Sequence, residues 1–218
     1  MAKITAIEPR KKDPSRVSIY LDGQFAFDLA GIVAAWLKPG QELDQSRIAA
    51  LQGDDIRERA YQQGLTFLSY RARSESEIRQ YLRKHKVADD VIEHTLERLR
   101  SSRLADDTEF ARAWVENRST FRPRSRRALT WELKRKGIAS EMTESVLAGL
   151  DDDALAHQAG LKKAVQLSGA EWVEFRTKLT GFLARRGFSY PVISGAVSRL
   201  WSETHAGQNT RDDNEDVQ

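Results

Sequence analysis

The residues with the strongest chemical potential are arginines crowded into one short stretch. Arg118, Arg122, Arg124, Arg126 and Arg127 fall within ten residues, with Phe121 and Pro123 among them. Lys134, Arg135 and Lys136 follow within three helical turns. Guanidinium forks match phosphate and carboxylate geometry, and an exposed aromatic ring stacks on a nucleobase. Basic residues outnumber acidic ones nine to two between Arg112 and Gly137, although the whole chain carries a net charge of only +3. The helix dipole accounts for Lys134 to Lys136 at the end of a helix, and for Lys84, Lys86, Arg185 and Arg186 at matching positions elsewhere. It does not account for the arginines around Pro123. Arg122, Arg124, Arg126 and Arg127 stand at the head of a helix, where positive charge opposes the dipole. An external anion, on a nucleic acid or an acidic protein, explains them better.

Other chemistry lacks the residues it needs. Asp106-Asp107 is a carboxylate pair, but it stands where a helix requires a cap. His85, His94, His157 and His205 have no metal-ligand spacing, and the chain has no cysteine. There is no glycine-rich phosphate loop and no Gly-x-Ser-x-Gly elbow. The expectation is a protein without catalytic residues, metal or cofactor.

The arginines are carried by a repeat. In Ser125–Leu150, Leu129 and Leu133 share a helix face, Gly137 suits a left-handed C-cap, and Ser140 is expected to cap a following helix striped by Met142, Val146, Leu147 and Leu150. The same pattern recurs before and after it. Ile78, Leu129 and Leu179 correspond, as do Leu82, Leu133 and Leu183, and Val87, Ile138 and Phe188. The fold class expected is all-α: an elongated array of three tandem three-helix repeats, preceded by a small N-terminal β-hairpin region. One module is not expected to bury its own face, so its neighbours complete its core.

The domain boundaries follow. Residues 1–53 hold the hairpin and short helices. Repeats span 54–105, 106–153 and 154–204, and 205–218 form a disordered acidic tail containing Asp212, Asp213, Glu215 and Asp216. Within 1–53, Arg16–Leu21 and Gln24–Leu29 flank an Asp22-Gly23 turn, with Phe25, Phe27 and Leu29 on one face. Lys3 to Ile7 reads as a further short strand, and a lone hairpin must pack on something or bind a third strand. Ala30 to Leu37 is a short helix. Asp44 caps another, which Gly53 ends before a new helix over Ile56–Arg71. Ser74 to Glu77 form a capping box, Asp106 and Glu109 a similar one, and Asp89 or Asp90 opens a third helix in repeat one. Trp114, Trp131, Trp172 and Trp201 are assigned to packing.

With 40 per cent apolar residues in 218, the chain can bury a core. No apolar run approaches a membrane span and no signal-peptide core follows the start. A soluble, cytoplasmic monomer is expected.

Several runs resemble one family. Arg71-Ala72-Arg73-Ser74-Glu75, Leu104-Ala105-Asp106-Asp107-Thr108-Glu109-Phe110-Ala111 with Trp114-Val115, Glu132–Ile138, and Phe182–Phe188 occur in the order found in the RecX regulatory proteins. The resemblance covers roughly 57–203. The linker Thr120–Arg124 departs from it, since the family often has glycine there. The resemblance implies a non-enzymatic regulator that binds the RecA filament on single-stranded DNA. Such regulators limit filament growth and damp strand exchange, ATP hydrolysis and the DNA-damage (SOS) response. The implied RecA- and DNA-binding surface is the basic set above, Arg118, Arg122, Arg124, Arg126, Arg127, Lys134, Arg135 and Lys136, with Arg71 and Arg73 from the first run. Two other readings remain: a direct DNA-binding helical module, marked by base preference, and a scaffold for an acidic protein, indifferent to both RecA and nucleic acid.

Overall fold

The computed structural model describes residues 1–205. The expected acidic tail lies outside the described residues except His205. The described chain forms two compact units, Met1–Asp106 and the part beginning at Asp107.

The first unit opens with an antiparallel sheet of strands β1 (Ala2–Arg10), β2 (Asp13–Leu21), β3 (Gln24–Ala30) and the two-residue β4 (Glu42–Leu43), in the order β3-β2-β1-β4. Asp22 and Gly23 both have positive φ (49° and 82°), the geometry of a tight hairpin turn whose twist matches its strands. The expected third strand is present and longer than foreseen, reaching Arg10 and pairing along β2 through Ile7↔Ile19 and Pro9↔Val17. Its turn at Lys11-Lys12 carries no Gly or Asn signal. The expected common face of Phe25, Phe27 and Leu29 is broken. An extra residue in β3, opposite the Ile19–Tyr20 step, leaves Phe25 57% exposed while Leu29 is fully buried. Ile4, Ile19, Leu29, Leu43 and Leu51 form the core beneath the sheet, with Ala34 of the short helix α1 (Gly31–Ala34).

Helix α2 (Gln45–Ser69) is capped by Asp44 as expected, but it does not stop at Gly53. A helical glycine costs only about 1 kcal/mol, and the turns on both sides are anchored. Leu51 lies in the sheet core. Asp55 is buried, accepts the Ala30 N–H at 2.6 Å and pairs with Arg16 at 2.9 Å. Glu58 is buried too and is held by Gln62 and by Arg98 at 2.6 Å. Burial disfavours its charged form, but those two hydrogen bonds outweigh it and hold the carboxyl below its usual range. One helix therefore serves the sheet and the first repeat together, across the expected boundary between residues 53 and 54.

The three repeats are present. The first combines the second half of α2 with α3 (Glu75–Lys84) and α4 (Asp89–Ser101). The second holds α5 (Asp107–Phe121), α6 (Arg126–Arg135) and α7 (Ser140–Leu147). The third holds α8 (Asp152–Val165), α9 (Trp172–Ala184) and α10 (Tyr190–His205). Ile78, Leu129 and Leu179 are fully buried, and so are Leu82, Leu133 and Leu183. Each repeat closes a core of its own, contrary to the expectation that one module cannot. Three helices packed face to face enclose most of their apolar stripes. Leu150 packs on the cores of the second and third repeats alike.

The breaks between helices are alike. After α6, the Gly137 N–H reaches the Lys134 carbonyl at 3.0 Å and the Ile138 N–H reaches Leu133 at 3.1 Å, with Gly137 at φ 79°. This is a Schellman turn. After α3 the same pair of bonds forms around Lys86, a non-glycine residue at φ 61°. The chain then extends through Ala88 or Ala139. These residues stand at the N-cap in place of the expected Asp89 or Asp90 and Ser140, which fall inside the first turn. Ser74 and Glu77 do form the reciprocal capping box. Because the left-handed region strains a side chain, Lys86→Gly is expected to raise stability by up to about 1 kcal/mol, read as a higher urea midpoint.

Candidate nucleic-acid interface

Helix α6 is amphipathic in charge as well as in hydropathy. Leu129 and Leu133 face the core. Arg126, Thr130 and Lys134 form one exposed row, and Arg127, Trp131 and Arg135 the next. Trp131 is 58% exposed, against its assignment to packing, and the Arg135 guanidinium lies 4.6 Å from its ring centroid. Among the described residues, no carboxylate pairs with Arg122, Arg126, Arg127, Lys134 or Arg135. The face thus offers positive charge and a flat ring.

The structure divides the expected basic set. Glu132 points inward, with its side chain 10% exposed. It accepts the Trp114 Nε1–H at 2.8 Å and the Arg118 Nε–H at 2.8 Å, and it pairs with Arg124 at 3.0 Å. Arg118 also lies over the Trp114 ring, and Lys136 stands 5.0 Å from it. Arg118 and Arg124 are therefore committed in part to holding α5 on α6. Glu132→Ala is expected to cost about 1–3 kcal/mol, an ion-pair contribution discounted because Arg124 is partly solvated. A calorimetric midpoint checks it.

Arg71 and Arg73 belong to the first unit and are engaged locally. Arg71 pairs with Glu77 at 2.9 Å and donates to the Ala72 carbonyl. Arg73 is half-buried over Phe67 at 4.1 Å. Burial, then the charge of Arg71, pushes its pKa down. Neither resembles the free arginines of α6.

The linker into α6 is fixed from the third repeat. Ser125 caps the helix through the Ala128 N–H, and its own N–H reaches the Arg186 carbonyl at 3.2 Å. The Arg186 guanidinium donates to the Pro123 carbonyl at 2.9 Å, and the Arg126 N–H reaches Asp152 at 2.7 Å. Asp152 thus supplies, from α8, the acid that the head of α6 lacks in sequence, so the helix dipole alone is a weaker argument for an external anion than expected. Gly187, at φ 90°, packs so close that a Cβ there would stand 2.8 Å from Ala128 and from Ser125. Phe121 is 75% exposed and takes no part in a core.

Sequence reasoning missed Arg186, which it assigned to the helix dipole, together with Phe182, Lys162 and Lys163. These residues gather beside Phe121 around a cleft of about 330 Å³. The paired lysines were the one signal available. Among the described residues no cluster of three or more His, Cys, Asp or Glu side chains is placed to hold a metal, and no helix is long and apolar enough to cross a membrane.

Residues 2–44 match the profile of the regulatory protein RecX N-terminal domain. Residues 60–99, 106–147 and 151–197 match those of the RecX first, second and third three-helix domains. The chain is 35% identical to regulatory protein RecX of Bacillus licheniformis over 216 residues, covering 95% of this chain and 81% of that one. It is 33% identical to regulatory protein RecX of Bacillus subtilis (strain 168), covering 92% and 78%. A crystal structure of regulatory protein RecX superposes with a TM-score of 0.69 at 28% identity, covering 93% of this chain and all of that one. With all four profiles in order along the chain and relatives of this similarity over most of its length, the protein is a member of the RecX family of regulatory proteins.

Proposed function

We propose that this protein binds the RecA filament on single-stranded DNA and restrains it, acting without catalysis, in the cytoplasm and as a monomer. The observation that carries the reading is the exposed face of α6. It presents Arg126, Arg127, Lys134 and Arg135 around Trp131, with Arg122 ahead of them in the linker and no carboxylate paired with any of them among the described residues. Unpaired guanidinium groups on a rigid helix lose little entropy on meeting an anionic partner. Family membership makes the RecA filament the economical identity for that partner. Strand exchange and the DNA-damage response, both downstream of the filament, are then damped.

The test is RecA-catalysed ATP hydrolysis on single-stranded DNA with this protein at substoichiometric amounts. Inhibition that grows with its concentration is expected. An unchanged hydrolysis rate removes the reading. Direct, base-selective DNA binding remains a second reading because exposed Trp131 and Phe121 suit bases as well as proteins. Its mark is a sequence preference in the absence of RecA.

A further inference from the structure

We propose that the cleft between α8, the end of α9 and the α5–α6 linker receives one nucleotide of a single-stranded chain, the base against Phe121 and the phosphates against Lys162, Lys163 and Arg186. The inference rests on the reading of this protein as a ligand of a nucleoprotein filament, and it adds a nucleic-acid contact at a place distinct from the α6 face.

The cleft measures about 330 Å³, at the small end of ligand sites, and no carboxylate lines it. Arg186 is anchored by the Pro123 carbonyl and lies over the Phe182 ring at 4.4 Å, so its guanidinium is held in one orientation. Among the described residues it has no carboxylate partner. Burial, and then the positive charges of Arg124 and Arg122, push its pKa down. A half-buried guanidinium beside two like charges, with no carboxylate of its own, is unfavourable by itself, and a bound phosphate relieves it. Lys163 donates to the neutral Gln166 at 3.5 Å, and Lys162 is exposed.

Phe121 selects among anions. Its ring is 75% exposed at the rim of the cleft. The negative face of the ring disfavours the carboxylates of an acidic peptide, whereas a nucleobase stacks on it. A duplex keeps its bases stacked inside, so a cleft that takes a single splayed base favours single strands.

The experiment titrates the full chain against fluorescein-labelled oligothymidylate over a range of salt, without RecA. Phe121→Ala is expected to weaken binding about tenfold or more with the salt slope unchanged. Lys162→Gln with Lys163→Gln is expected to lower the slope by about 1.4, or 0.7 for each phosphate contact. Lys162 and Phe121 are exposed and outside the core, and an unchanged thermal midpoint confirms that the variants fold. Failure of the wild type to bind the oligonucleotide, or wild-type affinity in Phe121→Ala, overturns the proposal. Loss of RecA inhibition in these variants with oligonucleotide binding intact assigns the cleft to an acidic protein segment and also overturns it. Phe121-dependent binding without any effect on RecA supports the cleft and removes the filament reading instead.

Discussion

Leu133→Ala lowers the free energy of unfolding by about 2–5 kcal/mol. Trp131→Ala, two residues away on the same helix, changes it by less than about 1 kcal/mol. Leu133 is fully buried in a cluster with Phe110, Ala111, Val115, Leu129, Ile138 and Leu147. Truncating it removes apolar burial and leaves a cavity among neighbours that are themselves fixed by the Schellman turn at Gly137. Its backbone carbonyl still accepts the Ile138 N–H, so the loss is one of packing alone. Urea denaturation of the two variants separates the core row of α6 from the anion-facing rows. An unchanged midpoint for Leu133→Ala shows that the repeat does not bury its shared apolar position.

The repeat was legible because it is written in local, periodic terms. Leucines at fixed spacing and a turn that wants a left-handed residue are visible wherever they recur, and Gly137 and Gly187 mark it with positive φ. Lys86 occupies the same turn without glycine and is recognisable only by register. What escaped depends on distant parts of the chain. Gly53 reads as a stop, yet α2 runs through it because Leu51, Asp55 and Glu58 are tied to the sheet and to α4. The turn at Lys11-Lys12 shows no signal because the pairing of β1 with β2 holds it. In sequence the basic set reads as one cluster. Its division into arginines bound to Glu132 and arginines left free follows from the inward direction of one side chain. Trp131 reads as core by composition and lies outside because it stands two positions from the buried leucines. Asp152 and Arg186, which hold the head of α6, lie 26 and 61 or more residues from their partners, beyond any local pattern.

Arg122→Glu combined with Arg126→Glu keeps the fold and abolishes inhibition of RecA. Both side chains are exposed and neither pairs with a carboxylate among the described residues. The bond from the head of α6 to Asp152 uses the backbone N–H of residue 126, which the substitution retains. A glutamate in the first turn also suits the helix dipole, although Asp152 is close enough to offset part of that gain. The changes reverse two exposed charges, one on α6 and one in the linker before it, so a partner of negative potential is repelled where it was attracted. Two mechanisms separate on naked single-stranded DNA. If the arginines meet phosphates, neutralising each lowers the salt slope by about 0.7. If they meet acidic groups of RecA, the slope stays near its wild-type value while inhibition is lost.

The most direct measurement is the rate of ATP hydrolysis by RecA on single-stranded DNA, titrated with the wild type and with the double variant, after circular dichroism has shown equal helix content. The α6 face as the inhibitory surface predicts that the wild type depresses the rate at substoichiometric amounts and that the double variant leaves it at the level of RecA alone. A folded double variant that inhibits at the wild-type concentration contradicts it.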